Sequence, residues 1–156
     1  MTNHHPTLTA LRASADELAR ELERLPEDAA AWRPAEGEWS QLECLIHMQI
    51  VERHIFLPRL RRMANEDHPF LPLVDETALM QAELQRNRSR AELLQDFLAD
   101  RAEEIALLGK ADWSRPGAHE TRGPITLGWQ ADYALGHTYE HLSQMMRVRL
   151  NHATRK

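Results

Sequence analysis

Most of this chain repeats apolar side chains at spacings of three, four and seven residues, which is the pattern of helices that bury one face. The clearest stripe lies near the start and consists of Leu8, Leu11, Leu18, Leu22 and Leu25. Pro26 follows it directly. Because proline cannot continue a helix, the pattern predicts a first helix over residues 7–25. We expect the polar residues before it, 1–6, to form a frayed end.

A capping box opens the second helix, since Ser40 is followed three residues later by Glu43. Apolar residues then cover more than one face as far as Leu60 or Met63. Such a helix is either deeply buried or presents a second apolar face to a partner. Pro58 removes one helical hydrogen bond and should kink or end this helix.

The same signature recurs at Ser89 and Glu92, which predicts a third long helix through Leu108 with Gly109 as its stop. Residues 76–86 favour a short helix just before it. The pattern leaves open whether the short helix and the third helix are continuous.

Thr126 can cap a last helix that reaches about Asn151. The connecting segments 26–39, 64–75 and 110–125 contain prolines and are read as loops. No run alternates like a strand, so we expect no sheet. The predicted fold is all-α, an antiparallel four-helix bundle with a short additional helix.

Composition narrows the classes of function. With 156 residues the chain is expected to form one domain over residues 1–156. The net charge is -5 and no block of Lys and Arg stands out, so we expect no nucleic-acid partner. No apolar run approaches the roughly 20 residues that span a bilayer, and we expect no secretory signal, since residues 1–6 are polar. Cys44 is the single cysteine, which fits the cytoplasmic location that we expect.

Histidines supply the candidate chemistry. His137 and His141 are four residues apart and share one face of the last helix. With nine histidines in the chain, such a pair alone carries a high false-positive risk. His47 on the second helix could join them, because facing side chains build sites in the core of a bundle. Three imidazoles would leave an open metal position, as in catalytic zinc sites. The alternative is three core histidines that pair with the backbone or with carboxylates.

Two separated motifs resemble those of a known family. The first motif is Trp32-Arg33-Pro34, then Glu38-Trp39-Ser40-Gln41-Leu42-Glu43, with His47 just beyond. The second is His137 and His141, followed by Leu142-Ser143-Gln144. In their order and placement on helices, they resemble the DinB-like/YfiT-like superfamily of metal-dependent enzymes over nearly the whole chain.

That resemblance implies three metal ligands, His47, His137 and His141. It implies a divalent ion, zinc or nickel in most members, although imidazole also suits other metals and iron or manganese is possible. It further implies a homodimer and a small-molecule substrate. Relatives of known activity include thiol S-transferases that use low-molecular-weight thiols, and a mycothiol-dependent maleylpyruvate isomerase.

We therefore expect a thiol-dependent S-transferase that acts on small electrophiles. The alternatives are a metal-dependent hydrolase and a non-enzymatic metal-binding module of the stress response. Gln144 could hold a ligand imidazole or touch substrate, or be a polar contact in the bundle, and His54 could line the pocket wall. We expect Glu140 to face away and His119 to face solvent. No catalytic group is predicted beyond a metal-bound water or thiolate.

Overall fold

The computed structural model describes residues 5–155. Its α-helices are α1 (Pro6–Glu23), α2 (Gln41–Val51), α3 (Leu57–Asn65), α4 (Glu76–Gln85), α5 (Arg90–Leu108) and α6 (Leu127–Thr154). Its strands are β1 (Phe70–Leu71), β2 (Pro116–His119) and β3 (Gly123–Thr126). The long elements form the predicted four-helix bundle, in which α1 and α2 both pack against α5 and α6. The additional short helix, α4, packs on α2.

A π-helical stretch, Glu52–Phe56, joins α2 to α3 and makes one continuous rod. Within it the backbone N–H of Leu57 reaches back five residues to the carbonyl of Glu52. Pro58 follows at the start of α3. Its missing N–H is tolerated where the hydrogen-bond register has already changed. The helix therefore passes Pro58 and runs to Asn65, slightly beyond the predicted end.

Both predicted capping boxes are present. Ser40 Oγ accepts a hydrogen bond from the Glu43 backbone, and the Glu43 carboxylate accepts one from the Ser40 backbone. Ser89 and Glu92 do the same at the start of α5. Between α4 and α5 the chain breaks at Asn87, whose φ is +50°, so the two helices are separate.

The apolar faces of the helices meet in two clusters. The larger cluster joins α1, α2, α5 and α6 through residues such as Leu18, Leu45, Phe97 and Leu142. Nearly every residue of α2 is buried in the chain's own core. That intrachain burial accounts for its apolar surface without a partner, so the expected homodimer stays a prediction.

The start of the chain is more ordered than we expected at its described residues. His5 caps α1 by accepting a hydrogen bond from the backbone of Thr7, and its ring stacks on Trp113 at 3.8 Å between centroids. Pro6 is the first residue of α1. The prediction of a frayed end is therefore wrong for these two residues, and residues 1–4 lie outside the described part.

A small sheet contradicts the prediction that the chain has none. β2 pairs parallel with β1 and antiparallel with β3. The sheet packs on the second apolar cluster through Leu71 and Ile125. Gly117 permits this contact, because a Cβ there would lie 3.0 Å from Met63 Cε. The sequence pattern did not predict these strands because they are two to four residues long and because β2 and β3 contain proline and glycine.

A buried charge cluster links α5 to the rest of the bundle. Arg101 is 1% exposed and donates to the Glu52 carboxylate at 2.9 and 3.2 Å and to Thr138 Oγ1 at 2.9 Å. Glu104 lies in the same cluster, with Oε2 3.0 Å from Arg101 Nε. Burial, followed by the charge of Glu52, raises the pKa of Glu104 well above its ordinary value. Although burial opposes it, the charge of Arg101 lowers the pKa of Glu52, so the two carboxyl groups differ in their affinity for a proton. No helix within residues 5–155 combines the length and apolarity needed to cross a membrane.

Candidate metal centre

Three histidines from two helices converge inside the bundle. α2 carries His47, and successive turns of α6 carry His137 and His141. One ring nitrogen from each lies within 4.8 Å of the others, and Nε2 of His47 is 3.1 Å from Nε2 of His137. This geometry brings together all three histidines that the sequence indicated, and such a group could hold a metal ion.

Hydrogen bonding prepares His141 for this role. Its Nδ1 lies 2.9 Å from Gln144 Oε1. Because the amide oxygen can only accept, Nδ1 carries the proton and Nε2 is left with a free lone pair. Gln144 was one of two residues expected near the ligands, and it makes this contact from one turn further along α6. It fixes the ring in the tautomer that binds metal through Nε2.

Burial lowers the pKa of two of the three imidazoles. His47 and His141 are each 8% exposed. Burial, and then the charge of His141, lowers the pKa of His47 to about 4. The pKa of His137 is lowered to about 3, chiefly by burial and then by the neighbouring histidines. Neutral imidazole is the form that ligates metal, so the lowered pKa values of His47 and His137 favour metal binding.

The alternative interpretation, in which each histidine is satisfied by the protein, finds less support. Across residues 5–155, none of the three imidazoles hydrogen-bonds to a backbone group or a carboxylate. They contact each other, Gln144 and aromatic rings, and a single carboxylate oxygen lies 4.0 Å from His47 Nε2. Trp39 lies 5.0 Å from His47 and stacks at 6.1 Å on His141, while Phe56 meets His137 edge-on at 5.2 Å.

A carboxylate that sequence reasoning missed lies beside the histidines. Glu76 Oε2 is 4.0 Å from His47 Nε2, and the Glu76 side chain is 51% exposed. Glu76 is the first residue of α4. Only the packing of α4 on α2 brings it to the site, and nothing in the local sequence indicates that packing.

The histidines open into a pocket of about 410 Å³. Its polar lining, besides the three histidines, consists of Arg59, Glu76, His119, Thr121, Arg122, Tyr133 and Glu140. His119 is 7% exposed, so the expectation that it faces solvent is wrong. Pairing of β2 with β1 carries it inward. Glu140, expected to face away, lies exposed at the pocket rim.

A second pocket of about 470 Å³ lies on the other side of His141. Trp39, Gln144 and Arg147 line it. The ring of His141 therefore borders both pockets. His54, which we expected on the pocket wall, is exposed and lines neither of them. Glu43, one turn before His47, is engaged by its cap and by Arg33, whose Nε lies 2.9 Å away.

Comparisons with known proteins agree with this fold. The model of the DinB superfamily matches residues 10–145. YfiT from Bacillus subtilis, described as a probable metal-dependent hydrolase with an unusual four-helix bundle topology, superposes with a TM-score of 0.84 at 16% identity. That match covers 94% of this chain and 86% of YfiT. The DinB-like protein YjoA from the same organism gives a TM-score of 0.64 at 12% identity, over 97% of this chain and 95% of YjoA.

A further structural match is the mycothiol-dependent maleylpyruvate isomerase, with a TM-score of 0.72 at 11% identity. It covers 89% of this chain but 59% of the isomerase, so this chain spans about three fifths of that protein. None of the curated proteins matches this sequence. At these identities the structural matches establish the fold alone.

Proposed function

The chain belongs to the DinB superfamily, and on this premise we propose that it is a metal-dependent enzyme with His47, His137 and His141 as ligands. Zinc or nickel is the ion that we favour. The convergence of three ring nitrogens within 4.8 Å is the observation that carries the proposal. A bound divalent ion supplies Lewis acidity, which lowers the pKa of a thiol or water beside it.

Residues around the ligands would hold and shield the ion. Gln144 fixes the ring of His141 through Nδ1. The ring of Trp39 lies 5.0 Å from that of His47, and the ring of Phe56 lies 5.2 Å from that of His137, so apolar surface adjoins the site. Three protein ligands would leave a position for substrate, as in catalytic rather than structural sites.

The reaction that we propose first is transfer of a low-molecular-weight thiol to a small electrophile. Such a reaction needs room for two substrates near one metal ion. The pocket of about 410 Å³ is lined by all three histidines and the pocket of about 470 Å³ by His141, so each pocket could hold one substrate next to a ligand. A thiol that has lost its proton is already a nucleophile, so the transfer needs little besides the alignment of the two substrates.

Hydrolysis is the second candidate, and the position of Glu76 favours it. Attack by water needs a base, and the Glu76 carboxylate lies 4.0 Å from His47 Nε2 with half of its side chain exposed. A carboxylate at this position could accept a proton from water that enters the pocket. The description of YfiT as a probable metal-dependent hydrolase is consistent with this second reaction.

Metal content tests the first step. Purified protein should carry about one divalent ion per chain, and His137→Ala should lose it because one of three ligands is removed. His54→Ala is the matched control, since His54 is an exposed histidine next to α2 and should keep full metal content. If wild type binds no zinc, nickel, iron or manganese, or if His137→Ala binds as much as wild type, the metal site is refuted.

Activity distinguishes the two reactions. Glutathione, bacillithiol, mycothiol and coenzyme A should each be assayed with halogenated and epoxide electrophiles. Turnover that requires a thiol supports the transferase. Turnover of ester or amide substrates without thiol, lost in Glu76→Gln, supports the hydrolase. A metal-loaded protein that is inactive in both screens, but melts at lower temperature after chelation, would instead support the non-enzymatic module.

The homodimer and the cytoplasmic location are also proposals. Light scattering at micromolar concentration tests the homodimer, and a clean monomer would refute it. A cytoplasmic location accords with the single buried cysteine, Cys44.

A further inference from the structure

The pocket that contains the three histidines also carries a group of basic side chains. Arg59 enters it from α3, and Arg122 enters from the turn between β2 and β3. His119, at the end of β2, lines the pocket with them. We call Arg59, His119 and Arg122 the basic cluster.

Arg59 differs from the other buried arginines of the described chain. The buried arginines within residues 5–155 are Arg59 at 9% exposure, Arg90 at 9% and Arg101 at 1%. Arg90 pairs with Glu27, and Arg101 pairs with Glu52. Arg59 donates to the carbonyl oxygen of Pro72 at 2.9 Å, and no carboxylate within residues 5–155 lies within 4.0 Å of it. A buried guanidinium is costly without a counter-charge, and burial lowers the pKa of Arg59.

Arg122 is held in place without an acidic partner. Its guanidinium lies 4.9 Å from the ring centre of Tyr133 and 5.2 Å from that of Trp129, both cation–π contacts. Its Nη2 also donates a long hydrogen bond to Tyr133 Oη at 3.5 Å, and the other N–H groups of the guanidinium have no hydrogen-bond partner among the side chains of residues 5–155. No carboxylate of the described residues pairs with Arg122 either.

His119 adds a neutral donor to this cluster. Its Nδ1 accepts hydrogen bonds from the backbone N–H groups of Thr121 and Arg122, each at 3.3 Å. The proton of the neutral ring therefore sits on Nε2. Burial, and then the charges of Arg59 and Arg122, lowers the pKa of His119, which favours this neutral form.

The acidic groups nearby do not neutralise the cluster by direct pairing. Glu76 and Glu140 line the same pocket, and Glu76 has its closest ion-pair contact with His47. Glu120 follows β2, and its Oε2 accepts from the backbone N–H of Leu73 at 2.6 Å. None of the three forms an ion pair with Arg59 or Arg122.

One aromatic side chain separates the basic cluster from the histidines. Phe56 contacts His137 at 5.2 Å and Tyr133 at 5.9 Å, edge-on in both cases. Tyr133 in turn supports Arg122. The pocket thus has a metal-binding end, an apolar middle and a basic end.

From this arrangement we infer that the basic cluster binds a carboxylate group of the substrate. The N–H edges of two arginines match the two oxygens of a carboxylate, and charge-assisted hydrogen bonds of this kind are the strong ones. The inference deepens the proposed function and rests on it for the reaction. A substrate anchored at the basic end would span Phe56 and place its reacting carbon at the histidines.

Binding of a simple dicarboxylate tests the inference without any turnover. Metal-free protein, prepared by chelation and dialysis, is titrated calorimetrically with succinate and with succinamide, its uncharged diamide. Succinate should bind, whereas succinamide should not. Arg122→Gln should weaken succinate binding about tenfold or more, since a charged hydrogen-bonding partner is lost. Arg61→Gln is the control, because Arg61 is an exposed arginine of α3 that pairs with Glu103.

Arg59→Gln should weaken succinate binding at least as much as Arg122→Gln does. Because Arg59 also donates a hydrogen bond to the carbonyl oxygen of Pro72, circular dichroism must show that this variant is folded. Arg122→Gln keeps the test valid if Arg59→Gln does not fold. Equal succinate affinity in Arg122→Gln and wild type would overturn the inference. Tighter binding of inorganic phosphate than of succinate, or equal binding of succinamide, would also overturn it. Because the titration uses metal-free protein, failure of the metal site or of the activity screens leaves its result unchanged.

Discussion

Replacing Arg101 by methionine should unfold this protein at a much lower temperature. The guanidinium is 1% exposed and holds Glu52, itself 1% exposed, by two hydrogen bonds. Methionine fills similar volume but leaves the Glu52 charge buried without its partner. Removing one member of a buried ion pair costs about 3–5 kcal/mol. At about 2–4 °C per kcal/mol for a chain of this size, the melting temperature should fall by roughly 6–20 °C.

The matched control is Arg53→Met, because Arg53 also joins the α2–α3 rod to α5. Its side chain is 36% exposed where it pairs with Asp96 and Asp100. Solvent screens such pairs, so we expect its loss to cost about 1 kcal/mol or less. Thermal unfolding followed by circular dichroism at neutral pH measures both variants. If Arg101→Met is no less stable than Arg53→Met, the buried cluster does not contribute as we have reasoned.

Three further predictions concern single side chains. Glu104→Gln should gain stability relative to wild type as pH rises from about 5 to about 8. The raised carboxyl pKa of Glu104 stabilises folded wild type fully below the pKa of the unfolded state, and this stabilisation is lost as pH rises towards the pKa of the folded state. Urea titrations at both pH values test this, and a constant difference in the free energy of unfolding would contradict it. Burial raises the pKa of Cys44 to about 12, so Ellman's reagent should modify it in urea but not in the folded protein; modification at equal rates would contradict its burial. Ser40→Ala should cost about 1 kcal/mol, since α2 loses its cap; an unchanged midpoint in thermal unfolding would refute that.

Features that depend on a few adjacent residues could be predicted from the sequence. Both capping boxes occupy four residues each, and α2 and α5 begin where Ser40 and Ser89 indicate. The contact between His141 and Gln144 is equally local, because residues three apart on a helix are neighbours. Prediction of the site formed by the three histidines required one further inference, that two long helices of a bundle face each other.

Features that depend on contacts between distant segments were missed. The sheet is one example, because strands as short as Phe70–Leu71 become recognisable only once their partners lie beside them. The burial of His119 follows from that pairing. Glu76 reaches His47 only through the packing of α4 on α2. His54, which could have lined the pocket wall, lines neither pocket. Counting turns from His47 assumed a regular α-helix, whereas His54 lies in the π-helical stretch.

The π-helical stretch at Glu52–Phe56 has a consequence for both ends of the pocket. Arg59 follows His47 by twelve residues, which in a regular α-helix would place the two side chains about 120° apart around the axis. The π turn contains one extra residue, which reduces the angle between the two side chains by about 100°. Arg59 and His47 consequently share one face of the rod and line the same pocket. One extra residue in the helix thus decides whether the metal-binding end and the basic end of the pocket belong to one surface or to two unrelated surfaces.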